Sequence, residues 1–157
     1  MKRTPLAQIL LAMTMLLNAC TPIVMLPGVR LGGSEVPTPS SWSDVEIPEE
    51  VLIRTEGGWV PWVHRIWAAK SDEGIYVAGE PGSRWVERAL AEPNVQLRVG
   101  DDVYTLRATQ IDDLQKQREA TAIFLAKYRE GMLELYGEEP DPEEMAGEAV
   151  VFLLARR

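Results

Sequence analysis

The stretch from Val95 to Ala108 constrains this chain most. Val95, Leu97 and Val99 alternate with Gln96 and Arg98, Gly100-Asp101-Asp102 turns the chain, and Tyr104, Leu106 and Ala108 return with the same period of two. Such alternation marks a half-buried strand, and two runs joined by a Gly/Asp turn form an antiparallel hairpin. Upstream, Val63 to Lys70, the turn Asp72-Glu73-Gly74 and Ile75 to Ala78 make a second hairpin, preceded by a strand over Val51 to Glu56. Between the hairpins, Ser83 to Ala91 has helical spacing. Trp85, Val86, Ala89 and Leu90 fall on one side, Arg84, Glu87, Arg88 and Glu92 on the other, and Pro93 ends the run.

Ile111 to Tyr136 reads as a longer amphipathic helix, with Leu125, Tyr128, Met132 and Leu135 at 3–4 spacing and Gly131 as a point of interruption. Gly137 to Pro142 breaks it, Glu143 to Ala146 is expected to form a short helical turn, and Ala149 to Leu154 is a final apolar strand. This order predicts an α+β fold, mainly antiparallel β: a small barrel with flanking helices. A parallel nucleotide-binding sheet fits badly, because crossovers and a Gly-rich loop from strand to helix are both lacking. The folded domain is expected over 49–157, with a helical segment over 111–146 and the last strand over 149–154.

Charge and composition narrow the partners. Sixteen Lys+Arg against 24 Asp+Glu gives −8, which argues against a nucleic-acid binder. One cysteine excludes an internal disulfide framework, and one histidine leaves no zinc cluster of the usual kind, so no metal is expected. Glu138 to Glu148 holds six acids and no base, with two prolines that suit a calcium loop poorly; a solvated acidic face is the expectation.

The start of the chain reads as an address. Lys2 and Arg3 precede the mostly apolar Leu6 to Leu17, and no acid occurs before Glu35. Leu17-Asn18-Ala19-Cys20 resembles the lipobox of bacterial lipoproteins, with the lone cysteine at the required place. That resemblance implies a signal peptide over 1–19, lipidation of Cys20, and a membrane-anchored lipoprotein facing the periplasm. Thr21 rather than Asp after the cysteine favours the outer membrane. The other reading is an uncleaved anchor over Leu6 to Leu26, which would place Asn18, Cys20 and Pro22 at membrane depth. Residues 20–48, with Pro22, Pro27, Pro37, Pro39 and Pro48, are expected to be an extended tether.

The run from Trp85 to Ala108 resembles the split β-barrel superfamily of pyridoxamine 5'-phosphate oxidase-like proteins, including deazaflavin-dependent nitroreductases. Leu90, Pro93, Val95, Leu97, Val99, Gly100, Tyr104 and Ala108 carry the match. It implies a split β-barrel, a cleft for flavin mononucleotide or deazaflavin, and a homodimer. Members hold the cofactor phosphate with a loop rich in Ser/Thr, Gly and Arg/Lys. The corresponding stretch here, Gly57 to Arg65, has no Ser or Thr and one Arg.

Arg65, Arg84 and Arg88 are the candidate anion-binding residues, with Ser83 and the helix N-terminus beside them. The bland alternative has Ser83 capping the helix and the arginines solvated or paired with Glu87 and Glu92. Trp67 and Trp85 are candidates to stack a planar ring, against core packing for both. Trp59 and Trp62 either line a groove or sit on a loop that touches a membrane or another subunit. His64 is a candidate general base, with a surface or core histidine the more expected role. Two function classes follow. One is a non-catalytic ligand-binding or structural envelope module for a small planar or anionic ligand. The other is a flavin- or deazaflavin-dependent oxidoreductase. The absent phosphate loop and acid/base pair favour the first, with no certain cofactor.

Overall fold

A computed structural model describes residues 30–57, 59–137, 141, 145 and 147–157. The segment 1–19 expected to be a signal peptide, Cys20 and most of the predicted turn at 143–146 lie outside the described residues. Among the described residues no helix is long and apolar enough to cross a membrane.

Among the described residues there are seven strands and two helices: β1 (Ser34–Glu35), β2 (Glu50–Thr55), β3 (Trp62–Lys70), β4 (Ile75–Gly79), α1 (Arg84–Ala91), β5 (Asn94–Val99), β6 (Asp102–Gln110), α2 (Leu114–Tyr136) and β7 (Val150–Ala155). The strands run in the order β1-β6-β5-β2-β3-β4-β7, and a further β6–β7 pairing closes six of them into a barrel. All pairings within the barrel are antiparallel; only β1 on β6 is parallel. This is an α+β split barrel, and both predicted hairpins are in it. Val95, Leu97, Val99, Tyr104, Leu106 and Ala108 are buried inside. The alternation that marked the hairpin is thus the alternation between barrel interior and exterior.

The helices serve different surfaces. Trp85, Val86 and Ala89 of α1 join the barrel core, together with Ile53, Leu97, Leu106, Phe152 and Leu154. Leu90, expected on that buried side, is 48% exposed. An eight-residue helix laid on the barrel end has room to bury a narrow stripe only. Gly79 permits the approach, since a Cβ there would overlap the Trp85 ring and Val86. By contrast α2 lies outside the barrel, where Ala120, Phe124, Tyr128 and Met132 pack on Ala69, Tyr76 and Val151. Asp113 caps α2, accepting from the Lys116 amide at 2.9 Å. The helix is interrupted at Tyr128 (φ −109°, ψ 17°) and not at Gly131. Tyr128 is pinned there from outside: its hydroxyl donates to the Glu49 carbonyl at 2.6 Å and accepts from the Ala68 amide at 3.0 Å.

The stretch before Val51 departs most from expectation. Leu31, Trp42 and Ile47 are buried, and β1 pairs with the start of β6, its register placing Ser34 opposite Asp102. Val36 donates to the Val103 carbonyl, Lys70 Nζ donates to the carbonyls of Ser43 and Val45, and Arg156 donates to that of Thr38. Apart from β1 and a turn over Trp42–Val45, residues 31–47 lack regular structure, as their prolines and glycines predict, yet they are packed on the barrel rather than loose. Their apolar residues recur without a period, so nothing local distinguishes the two states.

Candidate functional site

The β2–β3 connection and α1 meet at one end of the barrel. Gly57 there has φ +80°, and an added Cβ would sit 3.3 Å from the Arg88 carbonyl oxygen, so glycine lets the loop lie against the helix. Trp62 opens β3 with its ring half-buried. Arg84 and Arg88, one helical turn apart, both reach over that ring, and each guanidinium carbon lies 5.4 Å from its centroid. Arg88 Nη1 also donates to the Val60 carbonyl at 2.8 Å, bracing the loop. Among the described residues neither arginine forms an ion pair; Glu92 instead accepts from Asn94. With Gly57, Glu87 and Ala91, these three side chains line an open depression of about 350 Å³.

Beneath Trp62 lies His64, its ring centroid 6.2 Å away and its plane tilted by 26°. The β2–β3 register sets Ile53 opposite His64 and Thr55 opposite Trp62, so all four share the inward face. His64 is 9% exposed and Thr55 fully buried. Neither His64 Nε2 nor Thr55 Oγ1 has a hydrogen-bond partner among the described residues, and the same holds for Ser83 Oγ. Burial, and after it the nearby Arg88 charge, pushes the His64 pKa below the usual histidine value. The imidazole is accordingly neutral at pH 7.

The structure therefore brings together two of the predicted anion-binding residues, Arg84 and Arg88. Ser83 occupies the N-cap of α1 with extended dihedrals, but its side chain makes no capping bond. The other candidates lie elsewhere. Trp85 points into the core against Phe152, 5.8 Å between centroids, because it shares the buried stripe of α1. Trp67 stacks on Tyr128 at 4.7 Å beneath α2, on the outer face of the barrel. Arg65, one position from His64 and so on the opposite face of β3, is exposed and paired with Glu50 at 2.7 Å. The ring at the site is Trp62, one of the two tryptophans whose role the sequence left open; its partner Trp59 is fully exposed at the loop. Thr55 carried no sequence signal, being one more inward position of an alternating strand. What the arrangement can do is hold an anion on two guanidiniums that the indole face positions. No carboxylate contacts His64 among the described residues, so no acid/base pair is assembled there. Nor, among them, do three or more metal-ligating side chains converge.

No family model matches the sequence, and no curated protein matches it. Solved structures do. An FAD-binding protein from Mesorhizobium loti superposes with a TM-score of 0.52 at 17% identity, over 70% of this chain and 82% of that one. A Vibrio cholerae heme storage protein gives 0.52 at 16% identity, over 69% and 82%. A Listeria innocua protein assigned as a pyridoxamine 5'-phosphate oxidase gives 0.50 at 12% identity, over 69% and 83%. At these identities the likeness is one of fold: this chain has the split barrel of pyridoxamine 5'-phosphate oxidase-like proteins.

Proposed function

We propose that this protein is a non-catalytic ligand-binding module of the bacterial envelope, taking a small planar anion at the Trp62–Arg84–Arg88 depression. One observation carries the reading: two guanidiniums outside any ion pair converge on one indole face, two positive charges against the single Glu87 carboxylate that also lines the depression, in a chain of net charge −8. Like charges one turn apart repel each other, and an anion between them relieves that cost. Lipidation at Cys20 and an outer-membrane location facing the periplasm belong to the same reading, as does a homodimer.

Neighbours of this fold bind FAD or store heme, which raises a flavin or deazaflavin as the ligand. The described residues do not fit either as an enclosed cofactor. The depression is open on one side, and its volume of about 350 Å³ lies at the bottom of the range that buries a drug-sized ligand. The Trp62 face is already covered by the two arginines. No redox step is therefore assigned to this site.

The test is titration of the full chain in detergent with flavin mononucleotide and, separately, inorganic phosphate, followed by tryptophan fluorescence. Saturable quenching by flavin mononucleotide that Arg84→Ala abolishes supports the site; unchanged affinity in Arg84→Ala overturns it. Stoichiometric flavin retained through purification, with a visible spectrum, would favour the oxidoreductase instead. Fatty-acid labelling that Cys20→Ser removes supports the anchor, and an unlabelled wild type refutes it. Light scattering showing only monomer refutes the dimer.

A further inference from the structure

Burying a hydroxyl and an imidazole nitrogen without partners destabilises a fold, so each such group needs an explanation. Thr55 Oγ1 and His64 Nε2 are two of them, on one face of one strand pair. They are diagonal neighbours across that pair, which places their Cα atoms roughly 7–8 Å apart, close enough to meet one small group. Trp62 links them to the depression: it stacks on His64, lines the depression itself and sits opposite Thr55. Its ring contacts are stacking and two cation–π interactions, with no hydrogen bond from the indole among the described residues, and Gly57 with its positive φ lies in the loop that leads into it.

We propose that Thr55 and His64 form the inner half of the binding site, and that Trp62 is a lid which the ligand ring replaces. The reading rests on the ligand-binding function above and narrows the ligand class. The ligand is a planar heterocycle with an anionic group for Arg84 and Arg88 at one end and a hydrogen-bonding edge, such as a ring carbonyl or N–H, at the other. The threonine hydroxyl donates and accepts, and a neutral imidazole nitrogen does one or the other, so the pair reads a mixed donor–acceptor edge.

His64 is the only histidine of the chain, so diethyl pyrocarbonate reports on it directly in untagged protein. The full chain in detergent is treated with this reagent alone, with flavin mononucleotide as a probe carrying both ends, and with inorganic phosphate as a probe of the outer end only. Flavin mononucleotide is expected to slow carbethoxylation of His64 at least tenfold, and phosphate to leave it unchanged. Thr55→Val should weaken flavin mononucleotide binding about 5- to 10-fold while leaving phosphate affinity intact, as expected for one lost hydrogen bond. It should also raise Tm by several degrees, because an isosteric methyl removes an orphan hydroxyl. Trp62→Ala should make His64 react faster.

Flavin mononucleotide that binds equally well to Thr55→Val and leaves His64 unprotected would confine the ligand to the outer depression, overturning this proposal and sparing the function. Loss of all binding to the wild type would remove both. A Tm that falls in Thr55→Val overturns the inner site whatever the probes do, since it shows the hydroxyl serving the fold through a bridging water.

Discussion

The two ends of β5 carry depressions of similar size and opposite character. At the Asn94 end lies the Trp62–Arg84–Arg88 depression. At the Val99 end a second, of about 410 Å³, is lined by Asp44, Glu46, Asp102 and Tyr104 among others. Polar groups at the acidic end are bonded to one another. Trp42 packs edge-on against Tyr104 at 5.0 Å, the Tyr104 hydroxyl donates to Asp102, and Arg98 ties the Leu31 and Gly100 carbonyls to the Asp101 carboxylate. At the basic end three buried polar atoms go without partners and two cations share one ring. The contrast separates a wall that closes the fold from one that keeps unused bonding capacity. Volume alone would not have told them apart.

If that division is right, substitutions at the two ends should fail in different assays. Trp42→Ala should cost about 3–5 kcal/mol, read as a lower urea midpoint, because it empties a core position that is 3% exposed. Phosphate or flavin mononucleotide affinity, measured below the transition, should be unchanged. Arg84→Ala combined with Arg88→Ala should do the reverse, weakening flavin mononucleotide by about 100-fold, or about 2.7 kcal/mol, with a fall in stability well below that of Trp42→Ala from the lost Val60 bond and ring contacts. A matching loss of stability in that double variant would break the comparison. Arg98→Ala should cost about 1–2 kcal/mol through its lost bonds to Leu31, Gly100 and Asp101, again without touching affinity.

The smallest effect is a pH dependence confined to the basic end. Burial first, and Arg88 second, disfavour the protonated form of His64 in the fold. The unfolded chain takes up that proton near pH 6.5, so stability is complete above this value and declines as pH falls through and below it. His64→Phe should flatten the slope of urea midpoint against pH between about 7 and 5; an unchanged slope would place its origin elsewhere. Tyr104, raised by burial and then by Asp102, has no counterpart below pH 10.

The hairpins and both helices were legible because their information is local. Val95, Leu97 and Val99 bury every second residue, and Trp85, Val86 and Ala89 form one helical stripe. A stripe, however, states only that something covers it. Whether Trp85 faced a cleft or a core depended on where α1 docks, which Gly79 determines by leaving room for the ring. Arg84 and Arg88 were legible as a pair for the same local reason. Their aromatic partner was not, since Trp62 is 22 positions from Arg84 and is brought there by the bend of the β2–β3 connection. The kink at Tyr128 escaped because its cause is outside the helix, in hydrogen bonds to Glu49 and Ala68. Glycine at 131 offered a local reason for a break that the tertiary contacts did not use.

The parallel pairing of β1 on β6 has a mechanical consequence. The β6–β7 seam is bonded only over Arg107–Gln110, and the start of β6 is covered instead by β1, with Leu31 held by Arg98 just before it. Any tension applied to the chain ahead of Leu31 enters the domain at this junction. It loads Arg98 and a two-residue strand before it reaches the antiparallel ladders, so the grip on β6 is the joint that yields first under pull.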